Sequence, residues 1–163
     1  VCIINWNNSA QVNALKQLIT DACQDLAIQI VRDGEGATRL IEVSIKGAES
    51  PITARKVVKS ILNSPLVKTA IHGADPNWGR IIAAAGKAGR DSIAPETLSL
   101  WLCDTLLFHH NHMQDYDVNR VRAQLESADT VRILLDLHAG AYTATGWGCD
   151  LSKAYIDINV QYT

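Results

Sequence analysis

The sequence predicts an α/β (α+β) fold in which amphipathic helices pack on a mixed β-sheet within one compact domain, residues 1–163. Three observations support this prediction. Apolar residues recur at helical spacing from Ala10 to Val31, and they alternate with polar residues from Arg39 to Gly47. The pair Ser50-Pro51 is a cap followed by proline, which predicts the start of a second helix. Because one amphipathic helix cannot form a core alone, its apolar stripe is expected to pack on the sheet.

The composition is that of an ordinary globular domain. Of the 163 residues, 47% are apolar and 20% are charged, and the net charge of -2 provides no bulk attraction for nucleic acid or an anionic membrane. No apolar run approaches the length that spans a bilayer. The four cysteines are scattered without a CxxC pair, which predicts reduced thiols in a cytosol-like compartment.

The N-terminal region is predicted to run from a short strand, Val1 to Trp6, through a turn and cap at Asn7 to Ser9 into the first helix. The apolar stripe of that helix consists of Val12, Leu15, Leu18, Ile19, Ala22, Cys23, Leu26, Ile30 and Val31. Since the chain opens inside an apolar run, we expect it to be part of a longer or processed protein.

Asp33-Gly-Glu-Gly-Ala-Thr38 ends this helix, and Arg39 to Gly47 follows as a strand with one buried side. Glu35 lies between two glycines, where the backbone can take positive φ, so its carboxylate sits on a tight helix-to-strand turn. Chemistry alone favours a solvated turn residue. The alternative is a carboxylate that holds the ammonium group of a substrate.

The centre of the chain, Asn63 to Gly89, follows a second helix predicted from Pro51 to about Leu62. Here Asp75 is predicted to cap a small-residue helix, Ile81 to Ala88, with Pro76 at its first position. A capped helix start beside Arg80 is either a rigid structural feature or a site for a carboxylate or oxyanion, and caps are the commoner case.

The C-terminal half is predicted from its turns and alternation. In order, we expect a loop from Arg90 to Glu96, a hairpin of Thr97–Leu102 and Leu106–Phe108, a polar helix from Val118 to Ala128, strands Thr130–His138 and Tyr142–Trp147, a turn at Gly148–Ser152 and a terminal strand, Tyr155–Tyr162.

The histidines at 109, 110 and 112 form a polar cluster that is predicted to lie in a loop. A metal site is disfavoured, because H-H-x-H lacks the helical i, i+4 spacing of zinc ligands and has no nearby Cys or Glu. His72 and His138 stand alone in the sequence and are predicted to be packed or solvated.

Three stretches together resemble the ornithine acetyltransferase / glutamate N-acetyltransferase family of arginine biosynthesis. They are Ile30 to Thr38, Ser64 to Ala70 with Gly73 to Arg80, and Trp147 to Ser152 with Ile158-Asn159. The resemblance covers nearly the whole chain, in the same order and spacing, and is weakest from Trp101 to Asp117.

The resemblance implies an enzyme made as one precursor that cuts itself before a threonine, giving an alpha and a beta chain that assemble as a heterotetramer of two of each. This sequence resembles only the C-terminal portion of the beta chain. The nucleophilic threonine, which carries the acetyl group from N-acetylornithine to glutamate, and the oxyanion donors lie outside it. No cofactor is implied, although acetyl-CoA is a candidate acetyl donor. No metal, nucleic acid or membrane is implied, and the location would be cytoplasmic, or organellar in a eukaryote.

The family's substrate-binding residues fall on Glu35, Asn159 and Thr163. Glu35 would pair with an amino group of ornithine or with the α-ammonium of glutamate, and Asn159 would hydrogen-bond the substrate. Asp33 and Lys68 could serve the site indirectly, and the Asp75–Arg80 segment is assigned mainly to structure. No catalytic residue is expected within the chain. The alternative is a non-catalytic α/β binding or assembly module that shares the family fold.

Overall fold

A mixed six-stranded sheet with helices on its surface forms the fold. The structure, a computed structural model, describes residues 4–88 and 93–161. Within these residues it contains α1 (Ser9–Arg32), β1 (Leu40–Ala48), α2 (Pro51–Leu62), α3 (Pro65–His72), α4 (Trp78–Gly86), β2 (Ser99–Leu102), β3 (Thr105–His109), β4 (His112–Met113), α5 (Val118–Ser127), β5 (Thr130–Asp136), β6 (Tyr142–Cys149) and α6 (Lys153–Val160).

The strand order is β4-β3-β2-β5-β1-β6. β1 is parallel to β5, with Leu40 opposite Thr130 and Lys46 opposite Asp136. Its other neighbour, β6, is antiparallel, as are the pairs β2–β5, β2–β3 and β3–β4. The predicted α/β class with a mixed sheet is therefore confirmed.

The core lies on one face of this sheet. Alternate residues of neighbouring strands point into it and are almost fully buried: Ile41, Val43 and Ile45 of β1, Val131, Ile133 and Leu135 of β5, and Leu100 and Leu102 of β2. The inner side of α2 covers them with Ala54, Val57, Val58 and Ile61. This is the period-two burial that the sequence predicts for a strand with one buried side.

Glycines in β6 allow α2 to approach the sheet closely. A Cβ on Gly146 would lie 2.6 Å from Cγ1 of Val58, and one on Gly148 would lie 3.0 Å from a methyl carbon of Leu62. Both spacings are shorter than packed side chains permit, so larger residues here would push the helix off the strand.

Many predicted elements are present. The predicted helix at Pro51 begins there with the Ser50 hydroxyl accepting from the Thr53 N–H. The hairpin of β2 and β3 turns at Cys103 and Asp104, both at positive φ. The first helix, β1, α5, β5 and β6 also form close to their predicted bounds.

The predicted terminal strand is wrong, because this segment forms α6. The hydroxyl of Ser152 accepts a hydrogen bond from the N–H of Tyr155 at 3.3 Å, so Ser152 caps a helix. Tyr155, Ile156 and Val160 alternate only in part with polar residues and all remain exposed. The capping serine decided the conformation, and the apolar spacing did not.

The stripe of α1 is also not packed as predicted. None of its 24 residues is buried, and Leu18 and Ile30 are 69% and 73% exposed. At the N-terminal end of this helix, residues 4–6 are not a strand, and residues 1–3 lie outside the described part.

Two further differences concern the central stretch. Ser64 and Pro65 begin a helix, α3, that the sequence analysis did not predict. The cap of α4 is Asn77, whose Oδ1 accepts from the N–H of Arg80 at 3.2 Å, and not the predicted Asp75. The predicted loop at 90–96 lies partly outside the described residues.

No helix in the described ranges has the length and apolar character needed to cross a bilayer.

Candidate functional site

The turn after α1 holds Glu35 in a conformation that depends on glycine. The N–H of Gly34 donates to the carbonyl of Val31, and the N–H of Ala37 donates to the carbonyl of Gly34, which closes the chain around Glu35. Gly36 has φ +65°, a region that residues with a side chain adopt reluctantly. The sequence prediction of a tight turn at this position is confirmed.

This turn packs against the start of α6. A Cβ on Gly36 would lie 2.5 Å from the backbone nitrogen of Tyr155, so only glycine allows the two backbones to approach this closely. The hydroxyl of Ser152 donates to the carbonyl of Gly36 at 2.5 Å while it caps α6. One serine thus fixes both the beginning of the last helix and its contact with the turn.

Glu35 and Asn159 are brought together by this packing. Asn159 lies one helical turn after Tyr155, and its side-chain Nδ2 donates to Oε2 of Glu35 at 2.8 Å. The same nitrogen donates to the carbonyl oxygen of Tyr155 at 2.8 Å. Both hydrogens of the amide are therefore used, and the amide orientation is set by two acceptors.

The atoms left open at this place are all acceptors. Oε1 of Glu35 and Oδ1 of Asn159 have no hydrogen-bond donor among the described residues, and both side chains are exposed. A negative carboxylate beside an amide oxygen suits a ligand that brings positive charge and N–H groups, as an ammonium does. It does not suit a carboxylate or phosphate.

Asp150 is a buried carboxylate that holds the backbone next to the site. It is 3% exposed, and its Oδ1 accepts from the backbone N–H groups of Thr38 and Arg39 at 2.8 and 3.0 Å. Its Oδ2 accepts from the Thr38 hydroxyl at 2.6 Å and lies 2.8 Å from Nδ1 of His72. Burial raises the pKa of the Asp150 carboxyl, but the hydrogen bonds from Thr38, Arg39 and His72 outweigh burial and hold that pKa below its ordinary value.

Asp150 therefore joins the strand that follows the Glu35 turn to the segment that leads into α6. Since Thr38 is three residues after Glu35 and Asp150 is two residues before Ser152, the carboxylate fixes the spacing between the two halves of the site. His72, which the sequence analysis predicted to be packed or solvated, is the third member of this network, and its ring is 37% exposed.

Arg39 fastens the same region to the helices. Its Nη1 donates to the carbonyl oxygens of Ile71 and His72 at 3.3 and 2.9 Å, at the end of α3. Its Nη2 lies 3.5 Å from the carbonyl oxygen of Glu126 near the end of α5. A guanidinium with several donors suits this position, because last-turn carbonyls lack partners within their own helix.

The remaining candidates are less central. Thr163 lies outside the described residues. Asp33 is the cap residue at the end of α1, and the carbonyl oxygen of Lys68 accepts from the N–H of Leu151 in the segment that leads into α6.

The proposed oxyanion site at the start of α4 is not supported by the geometry. Asn77 caps this end, and Nη1 of Arg80 donates to the carbonyl oxygen of Leu66 at 3.1 Å. Asn77 also donates to Oδ2 of Asp75 at 3.1 Å. Asn77 and Arg80 therefore already have hydrogen-bond partners, and Arg80 joins α4 to α3. This is the structural role that the sequence analysis favoured.

The predicted histidine loop is instead a β-hairpin, in which His109 pairs with His112. The rings of His109 and His110 stack at 3.8 Å. The buried Ser99 hydroxyl lies 2.8 Å from Nδ1 of His109 and 3.0 Å from Nε2 of His138. Within residues 4–88 and 93–161, no three side chains of ligand type are grouped so that they could hold a metal ion.

Sequence reasoning missed Arg39, His72, Asp150 and Ser152 as residues that position the site. Asp150 and Ser152 lie in Trp147 to Ser152, one of the stretches that resemble the family, and a serine before a helix is a recognisable cap. Arg39 and His72 carried no signal, because their partners are backbone carbonyls and a carboxylate far away in sequence.

Comparisons with known proteins agree with one another. The model of the ArgJ family matches residues 2–163. The arginine biosynthesis bifunctional protein ArgJ of Lactococcus lactis subsp. lactis is 45% identical over 148 residues, which are 91% of this chain and 37% of that protein. The protein of the same name from Prochlorococcus marinus subsp. pastoris is 46% identical over 149 residues, 86% of this chain and 37% of that protein.

A solved structure gives the same result in three dimensions. The crystal structure of arginine biosynthesis bifunctional protein argJ from Bacillus halodurans superposes with a TM-score of 0.90 and 42% identity, covering 98% of this chain and 74% of that chain. The chain spans little more than one third of the length of the curated relatives it matches.

Proposed function

The chain belongs to the ArgJ family, and on this basis we propose that it is the amino-acid-binding portion of an enzyme that moves an acetyl group from N-acetylornithine to glutamate. The observation that carries the proposal is the hydrogen bond between Asn159 and Glu35, which leaves a carboxylate and an amide oxygen open to a cation. The family resemblance assigns both residues to substrate binding, and this expectation agrees with their contact.

In the proposed reaction, the hydroxyl oxygen of a threonine outside this chain attacks the acetyl carbonyl carbon of N-acetylornithine. The bond to the ornithine nitrogen breaks, and the amine leaves with a proton. The acetyl-threonine ester is then attacked by the amine of glutamate, which restores the hydroxyl. Acetyl-CoA is a second candidate donor for the first step.

Glu35 would act by binding and orienting substrate. The side-chain ammonium of N-acetylornithine keeps its positive charge throughout acetyl transfer, so a carboxylate can hold it from binding to product release. The α-amine of glutamate must lose its proton before it attacks. A pairing of Glu35 with the α-ammonium of glutamate would therefore end before that step, which favours ornithine as the main partner.

The exposure of this site supports a role shared with another part of the protein. An exposed ion pair in water contributes only about 0–1 kcal/mol, because solvent screens it. Glu35 and Asn159 are both exposed in this chain, so substrate binding of useful strength requires additional walls that exclude water. We expect the same part of the protein outside this chain to supply both these walls and the nucleophilic threonine.

The unburied apolar side of α1 supports the same conclusion about partners. We propose that Leu18, Leu26 and Ile30, all more than half exposed, pack against an alpha chain cut from the same precursor, which is one part of the remainder of the protein. The heterotetramer of two alpha and two beta chains and a cytoplasmic location remain expectations from the family resemblance.

The test uses the full-length enzyme with Glu35→Ala and the isosteric Glu35→Gln. We expect the KM for N-acetylornithine to rise at least about tenfold, because a charge-assisted contact is lost, while cleavage of the precursor proceeds nearly as before. Glu49→Gln, at an exposed position outside the site, is the matched control. An unchanged KM in both Glu35 variants would exclude the assigned role.

A further inference from the structure

A groove between helices lies apart from the Glu35 site and has an unusual charge. Its volume is about 400 Å³, and its lining includes Lys56 and Lys59 of α2, Asn63 at the end of α2, Ser64 at the start of α3, and Lys87 after α4. A groove of this volume is in the range of small-molecule sites. It shares no lining residue with the Glu35 site.

The three ammonium groups in this groove are not neutralised. None of them has an ion-pair partner among the described residues, and all three lysines are exposed. The surrounding sequence is equally one-sided: Ser50 to Ala88 contains six lysines and arginines but one acidic residue, Asp75, in a chain whose net charge is -2. Positive charge is therefore concentrated on this layer of helices.

Helix capping explains only part of this charge. Lys59 lies in the last turn of α2, and Lys87 is the cap residue at the end of α4, where cations favour the negative end of a helix. That end carries only about half an elementary charge, so each full positive charge is in excess. Lys56 lies outside the last turn, and the start of α3 adds the positive end of a third helix.

We infer that this groove binds the phosphate groups of a small anion, with a diphosphate as the best match in charge. Lysine ammonium groups bind phosphate oxygens as mobile point charges and require no planar geometry. No aromatic side chain lines the groove, so a nucleobase has no ring to stack on. The lysines recognise the diphosphate itself, whether it is free or part of a larger molecule.

Calorimetric titration of the full chain with pyrophosphate, at roughly 20 mM ionic strength where charges are weakly screened, tests this inference. The variant is Lys59→Gln/Lys87→Gln, and we expect its Kd to rise at least about tenfold, since charge-assisted contacts are lost. Lys59→Arg/Lys87→Arg retains the charge and should bind within about threefold of the wild type.

Lys16→Gln/Lys46→Gln is the matched control, because it removes two exposed lysines from α1 and β1. Equal binding by the wild type and the groove variant, or no saturable binding by the wild type, would overturn the inference. ADP and coenzyme A distinguish the source of the diphosphate. If ADP or coenzyme A binds more tightly than pyrophosphate and the groove variant loses this binding, the ligand is a nucleotide-linked diphosphate. If both bind as tightly as pyrophosphate, the ligand is the free anion.

Discussion

Asn159 donates a 2.8 Å hydrogen bond to the carboxylate of Glu35, across 124 residues of sequence. The contact joins the last helix to the turn after the first one, and it orients the carboxylate without neutralising it. A cation that reaches this place therefore meets a charge that is already positioned.

Replacing Asn159 with alanine should weaken substrate binding more than turnover. The variant leaves the Glu35 carboxylate without the one hydrogen-bond donor that it has among residues 4–88 and 93–161, and loss of one such bond corresponds to about 0.5–1.5 kcal/mol. We expect the KM of the full-length enzyme for N-acetylornithine to rise about threefold to tenfold, with a smaller change in kcat.

A double-mutant cycle with Glu35→Gln checks the mechanism, since residues in contact are not additive. Additive effects of the two substitutions on KM would mean that Asn159 does not act through the carboxylate.

Gly36→Ala should disrupt the contact between the turn and α6. The new Cβ would lie 2.5 Å from the Tyr155 nitrogen, at a position where φ is +65°. We expect a loss of at least about 2 kcal/mol in the free energy of unfolding, from strain and displaced backbone together. Urea unfolding of the chain measures it.

Gly86→Ala is the matched control for that measurement. A Cβ at Gly86 would meet nothing within 4 Å, and the residue is the last of α4. Alanine is favoured over glycine in a helix by up to about 1 kcal/mol, so this variant should be neutral or slightly more stable. Equal losses at the two positions would show that the close approach at Gly36 is unimportant.

Asp150→Asn should lower stability at neutral pH and less so in acid. Asp150 is buried and its pKa is held below the ordinary value, so the native state favours the charged form. Its contribution is present above the unfolded-state pKa and is lost as the pH falls through the native pKa. An asparagine cannot accept all four contacts, and we expect a loss of about 1–3 kcal/mol at pH 7.

Unfolding free energies of wild type and Asp150→Asn, measured from pH 7 into the acid range, provide the check. The gap between them should narrow as the wild-type carboxyl gains its proton. A gap that stays constant with pH would show that the ionised form is not what stabilises the network.

The apolar side of α1 should matter for assembly and not for folding of this chain. Leu18 and Leu26 are 69% and 58% exposed, so Leu18→Gln/Leu26→Gln should leave the unfolding free energy within about 0.5 kcal/mol of wild type. Association with the separately produced remainder of the protein should weaken, as measured by co-purification or titration. Gln24→Ala on the same helix is the control, and equal association of all three forms would contradict the assigned interface.

Several elements could be predicted from the sequence because local rules and tertiary packing agreed. The alternation of Ile41, Val43 and Ile45 predicted a half-buried strand, and the Ser50-Pro51 pair predicted the start of α2. In the site, the glycines around Glu35 predicted the tight turn, and Gly36 has the positive φ that the argument requires.

The errors arose from one local signal that was missed, the Ser152 cap, and from nonlocal contacts. Residues 155–161 alternate weakly, but no strand in the described part of the chain pairs with them, and the Ser152 cap favours a helix. The stripe of α1 predicted burial that this chain alone does not provide. The meeting of His72 with Asp150 depends on packing between segments 78 residues apart, which periodicity cannot reveal.

The contacts of Arg39 have a consequence for mutational tolerance. Its guanidinium is bonded to the main chain at Ile71, His72 and Glu126 and to none of their side chains. The side chains at those three positions can therefore be substituted without removing the acceptors of these hydrogen bonds. Arg39 itself has no equivalent replacement, because lysine cannot reach several carbonyls at once.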